Sequence, residues 1–91
     1  MTAPLTQLYA GFIADWQEQA IPPASLAVVR LGFTDCLGVM LAGRHEEAVV
    51  RLAGFVQAQG GNPRSRLITG GARTSAAQAG LVNATAAHAL D

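Results

Sequence analysis

Apolar residues along this chain recur at helical spacing, and the pattern predicts four helices. Leu5, Leu8, Phe12, Ile13 and Trp16 fall three and four residues apart, a single stripe on a helix from about Pro4 to Gln19. Pro4 suits a first turn, because its missing N–H has no partner there anyway. Ala20-Ile21-Pro22-Pro23 breaks the pattern. A second helix is expected from Pro23 to Ala42, with Gly43 as its C-cap. Leu26, Val29, Phe33, Leu37, Met40 and Leu41 share one face of it, while Val28, Leu31, Cys36 and Val39 spread apolar character round the rest. A helix apolar nearly all round belongs inside a larger core, and Gly32 and Gly38 leave room for another helix to approach.

The third helix is expected over Glu46 to Gln59, with Glu46 and Glu47 at its positive end. Val49, Leu52 and Val56 supply its buried side, with Val50 and Phe55 flanking, and Gly60-Gly61-Asn62-Pro63 ends it. Arg66 to Ile68 reads as a short extended segment before Gly70-Gly71, one arm of a hairpin completed elsewhere. Ser75, with Gln78 three residues on, forms a capping box that opens a fourth helix running toward His88. That helix carries Leu81, Val82 and Leu90 among small residues, a composition that favours close packing. The fold class is therefore all-α. The four helices are expected to form the N-terminal part of a larger helical domain, with residues 1–91 as one truncated segment of it.

Composition sharpens this. Apolar residues are 51% of the 91 before glycine is counted. Counting glycine and leaving out tyrosine raises the share to roughly 60%, against 45–50% for ordinary globular domains. Only 13% are charged. So small a body buries a limited share of its surface, so the excess describes either an Ala-rich helical protein or, the reading favoured, a fragment or subunit whose apolar faces rest on something larger. A net charge of zero, with six scattered Arg and no Lys, points to neither nucleic acid nor an anionic membrane. Without lysine the chain offers no Schiff base and no amine base. The lone Cys36 excludes an internal disulfide and reads as a buried structural thiol. Gln7, Asp15 and Gln17 interrupt any signal-peptide core, and Arg30 and Asp35 interrupt the apolar run from Ala24 to Gly43. Charges are costly at mid-bilayer, so that run is read as a buried helix, not a membrane span, and the protein as cytoplasmic.

Most chemical motifs fail on spacing. Gly60-Gly61 and Gly70-Gly71 match no phosphate loop and read as turns. His45-Glu46-Glu47 lacks a second histidine at ligand spacing, which leaves His45 a solvated loop residue. Thr74-Ser75 is better explained by capping than by nucleophilic catalysis. The remaining candidate is the tail from Asn83 to Asp91. On a helix, His88 and Asp91 are three apart on one face, cleared by surrounding alanines. An imidazole and a carboxylate so placed can bind and reprotonate a small acid. The same spacing also describes a helix end at the surface, with His88 near the negative end of the dipole and Asp91 in solvent.

The chain resembles the N-terminal part of the MmgE/PrpD family, whose members include 2-methylcitrate dehydratases and cis-aconitate decarboxylases. The resemblance runs nearly end to end, through Ile21-Pro22, Phe33-Thr34-Asp35-Cys36-Leu37-Gly38, Leu41-Ala42-Gly43, Gln59-Gly60-Gly61 and Ile68-Thr69-Gly70. Its most specific part is Ala79-Gly80-Leu81-Val82-Asn83 followed by His88-Ala89-Leu90-Asp91, a V-N-x-x-x-x-H-x-x-D string. The resemblance implies a two-domain, homodimeric lyase that needs no metal or organic cofactor and acts on di- or tricarboxylic acids, as in propionate catabolism. Family members dehydrate, decarboxylate or epimerise by moving a proton next to a carboxylate.

By the same resemblance, Asp91 heads a D-x-D-D active-site segment and is the catalytic residue expected in this chain. His88 and Asn83 match positions that line or support the pocket, His88 as a residue behind the groups that meet substrate and Asn83 as a helix-packing or positioning residue. Ala84 stands where the family usually has glycine, which tightens helix contact or narrows the pocket. The further acids, histidine and lysines that the family implies lie outside these residues, so the 91-residue chain alone is expected to catalyse nothing. Two alternatives stay open. One is a non-catalytic helical module that oligomerises through its apolar faces. The other is an epimerase or decarboxylase of the same family.

Overall fold

A computed structural model describes residues 4–16 and 21–91. Four helices follow one another: α1 (Leu5–Trp16), α2 (Pro23–Gly43), α3 (Glu47–Gln59) and α4 (Ala76–His88). The described residues hold no strand. The expected end of the first helix at Gln19 lies outside them. The chain divides into two units, Met1–Leu31 and Gly32–Asp91, with the division falling inside α2.

In the first unit, α1 opens with the Leu8 N–H donating to the Pro4 carbonyl at 3.1 Å. Its apolar stripe is present as expected but uncovered, with Leu5, Leu8, Phe12 and Ile13 all exposed. Phe12 and Trp16, one turn apart, tilt against each other with ring centroids 6.0 Å apart. Proline also starts α2, where the Leu26 N–H reaches the Pro22 carbonyl.

The second unit carries the core. Val49, Ala53 and Val56 of α3 lie at i, i+4 and i+7 and face Ala79, Val82 and Ala86 of α4, with Leu67 closing one end. Met40, Leu52, Ile68 and Ala89 pack round this cluster. Phe55 and Val50, on the flanks of α3, remain exposed. On the solvent side of α3, Glu47 and Arg51 form an i, i+4 ion pair at 2.6 Å, a contribution of about 0.3–0.5 kcal/mol for so exposed a pair.

Three local expectations change. Gly43 is no left-handed C-cap: among the described residues, positive φ is found at Gly60, Gly61, Gly70 and Gly71. It is instead the last residue of α2 and is buried. A Cβ there would run into the Ala86 carbonyl oxygen and meet the Ala89 Cβ at 3.2 Å. The glycine serves a close crossing of α2 and α4.

The capping box is half formed. Ser75 Oγ accepts from the Gln78 N–H at 3.2 Å, but Gln78 Oε1 turns to the Thr74 and Ser75 hydroxyls and not to a backbone N–H. Buried Thr74 is satisfied that way. The hairpin, finally, is completed inside the chain. Ser65 and Thr74 exchange both backbone hydrogen bonds at 2.9 Å, an isolated antiparallel bridge closed by the Gly70-Gly71 turn.

The second helix is not buried by these residues. It has only Gly43 buried, Cys36 is half-buried, and Leu31 and Phe33 are 71% and 67% exposed. No atom lies within 4 Å of where a Cβ would stand on Gly32 or Gly38. The core that these features call for is not supplied by the described residues. By length and composition alone, α2 is also long and apolar enough to cross a membrane.

Candidate functional site

The tail region is built by α4, and α4 is held by its two faces. One face buries Ala79, Val82 and Ala86 against α3. Alanine at these positions lets the backbones approach, and the absence of bulk leaves the opposite side open. That open side forms a shallow groove of 420 Å³ lined by Leu81, Ala84, Thr85, His88 and Ala89.

At its end, α4 tightens. The Ala89 N–H donates to Ala86 at 3.3 Å and the Asp91 N–H to His88 at 3.1 Å, contacts of the i→i−3 kind that close a last turn. This turn folds Asp91 back, so that Oδ2 lies 2.9 Å from His88 Nδ1. The spacing seen in the sequence thus becomes a contact.

Both side chains are exposed, at 78% and 72%. An ion pair this open contributes at most about 1 kcal/mol, so it does little to hold the fold. Its chemical consequence is orientation. In the tautomer with its hydrogen on Nδ1, His88 donates to Asp91 and leaves one carboxylate oxygen and Nε2 free to meet a ligand. Together they offer a proton acceptor and a hydrogen-bonding partner beside an apolar groove.

Asn83 takes a different position. Five residues before His88, it lies about 140° away round the helix axis. Its Nδ2 donates to the Arg66 carbonyl at 3.1 Å, and its Oδ1 accepts from the Ile68 N–H at 2.8 Å. One carboxamide therefore pairs with two backbone groups of the extended 66–68 segment, as a neighbouring strand would. Asn83 does not join His88 and Asp91 in one cluster; it docks the hairpin onto α4. The contact is of the positioning kind expected for Asn83, and one N–H and one lone pair of the carboxamide remain beyond these two bonds.

Thr85 lines the groove and was not singled out in the sequence. Its spacing, three before His88, was the available signal. Its hydroxyl donates to the Leu81 carbonyl at 2.7 Å, which leaves an oxygen lone pair toward the groove. Ala84 does line the groove, and a glycine there would widen it. Among the described residues no group of three or more His, Cys, Asp or Glu could hold a metal ion.

The MmgE/PrpD N-terminal domain model matches residues 7–91. No match is found among curated proteins or among solved structures. The family match spans all four helices, the glycine turns and the His88–Asp91 tail, the same features that carried the resemblance. The chain belongs to the MmgE/PrpD family, as an N-terminal segment of it.

Proposed function

We propose that this chain is the N-terminal segment of a cofactor-independent lyase resembling 2-methylcitrate dehydratase. The reaction is abstraction of a proton next to a carboxylate of a tricarboxylic acid, with loss of water. The observation that carries this reading is the 2.9 Å contact between His88 Nδ1 and Asp91 Oδ2 beside a groove cleared of bulk. Asp91 orients substrate or takes part in proton transfer, and His88 fixes the rotamer of that carboxylate. The remaining acid and base come from outside these 91 residues, which alone catalyse nothing. The same reading carries a homodimer in the cytoplasm acting on small carboxylic acids, without nucleic acid or membrane.

The test is turnover of 2-methylcitrate and cis-aconitate by the full-length protein. Dehydration of 2-methylcitrate supports the hydro-lyase. Loss of carbon dioxide from cis-aconitate, or epimerisation, keeps the family chemistry and replaces the named reaction.

A second reading rests on a separate observation, the exposed apolar residues along α1 and α2. Patches of this kind mark surfaces that meet other protein. On that reading the chain is a non-catalytic helical module. A 91-residue protein that sediments as a discrete, cooperatively unfolding oligomer would favour it, and a partly molten or aggregating one would count against it.

A further inference from the structure

A second groove, of 370 Å³, lies away from the His88–Asp91 end, between α3 and the turn that follows Leu67. Its lining is apolar along α3, at Val50, Ala53 and Gly54, and includes the Thr69–Gly71 turn together with Arg44 and His45. We propose that this groove binds a small organic anion, with the Arg44 guanidinium as its principal partner.

Charge is the first argument. Neither Asp nor Glu lines the groove, whereas both charged or chargeable side chains in the lining are basic. Half-buried Arg44 donates to the Leu41 carbonyl but forms no ion pair among the described residues. Of the nearby acids, Glu47 is engaged by Arg51 at 2.6 Å, and Glu46 is outside the lining. A planar guanidinium with donors to spare is matched by a carboxylate or phosphate, which it can hold with two parallel hydrogen bonds.

Shape is the second argument. The turn is fixed before any ligand arrives: Gln57 Nε2 donates to the Ala72 carbonyl at 3.2 Å. Gly71, at φ 88°, lets that side chain pass, since a Cβ there would stand 2.7 Å from Gln57 Nε2. The Thr69 hydroxyl and the Gln57 carboxamide add hydrogen-bonding capacity to the lining. Gly54 leaves the α3 side of the lining open, because nothing lies within 4 Å of where its Cβ would be. A lining that joins apolar α3 residues to two basic side chains suits a short carbon frame bearing an acidic group, and the volume falls in the range of small-ligand sites.

The experiment is calorimetric titration of the full-length protein with citrate, succinate and inorganic phosphate. Arg44→Gln should weaken binding of at least one probe by about tenfold or more, the loss of one charge-assisted contact. Arg44→Lys should fall between the two, because it keeps the charge and loses the fork. Gly54→Leu, whose Cβ meets nothing within 4 Å and whose side chain adds bulk to the lining, should weaken binding comparably, and it decides the matter if the arginine variants misfold. Asp91→Asn should leave the Arg44-dependent share of phosphate and carboxylate binding unchanged, which separates the groove from the tail site. The carboxylates binding more tightly than phosphate identifies an organic acid, and the reverse a phosphate compound. No binding by the wild type at millimolar probe, or folded Arg44→Gln and Gly54→Leu variants that bind as the wild type does, would overturn the proposal. So would binding abolished by Asp91→Asn alone.

Discussion

Asn83 shows how one side chain can replace a strand. Among the described residues, the Arg66 carbonyl and Ile68 N–H of the 66–68 segment are paired by the Asn83 carboxamide. Both groups are left unpaired if that amide is removed, and unmet polar groups in a partly buried setting are costly. Asn83→Ala should lower unfolding free energy by about 1–3 kcal/mol in urea titration, with faster amide exchange at Ile68. Unchanged stability and exchange would mean that the segment holds itself. Two glycines make a second comparison at this scale. Gly43→Ala sets a methyl against the Ala86 carbonyl and should cost about 1–3 kcal/mol. Gly54→Ala meets nothing and should be neutral or stabilising by up to about 1 kcal/mol. Opposite signs in thermal unfolding check the crossing of α2 and α4. Such roles were hidden in the sequence, where Gly43 looked like a helix stop, since a close approach comes from a residue forty-odd positions away and leaves no local mark.

Among the elements, α3 and α4 were legible because each has period and punctuation in its own residues. Val49 and Val56 recur at helical spacing, Ser75 caps, and Gly60-Gly61 stops. The capping box was read by its residue types, yet Gln78 has a closer use for its oxygen in the Thr74 and Ser75 hydroxyls. Ser75→Ala should therefore cost about 1 kcal/mol by denaturant midpoint. Gln78→Ala should cost at least as much, because it leaves buried Thr74 without its acceptor. A neutral Gln78→Ala would show that water replaces the amide. One arm of the hairpin was legible but its partner arm was not, because only Ser65 and Thr74 pair, and one bridge is too short for an alternating pattern.

For the whole molecule, the excess of apolar residues and the exposed faces of α1 and α2 are one fact seen twice. The described residues bury α3 against α4 and leave Leu31, Phe33 and Phe12 exposed. The all-helical class and the family were readable end to end, while the covering of α2 was not, because a helix apolar all round states that it needs a partner without saying which. The tail site was legible only in outline. His88 and Asp91 meet as their i, i+3 spacing implied, but Asn83, in the same motif, faces the hairpin. The central claim is that this contact begins the active site of an MmgE/PrpD-type lyase. Its most direct test compares 2-methylcitrate dehydration by the full-length protein with that of its Asp91→Asn variant, both shown to be folded. The account predicts turnover by the wild type and a loss of at least about a hundredfold in kcat/KM for the variant. A variant as active as the wild type, or a folded wild type that leaves the substrate untouched, would contradict it.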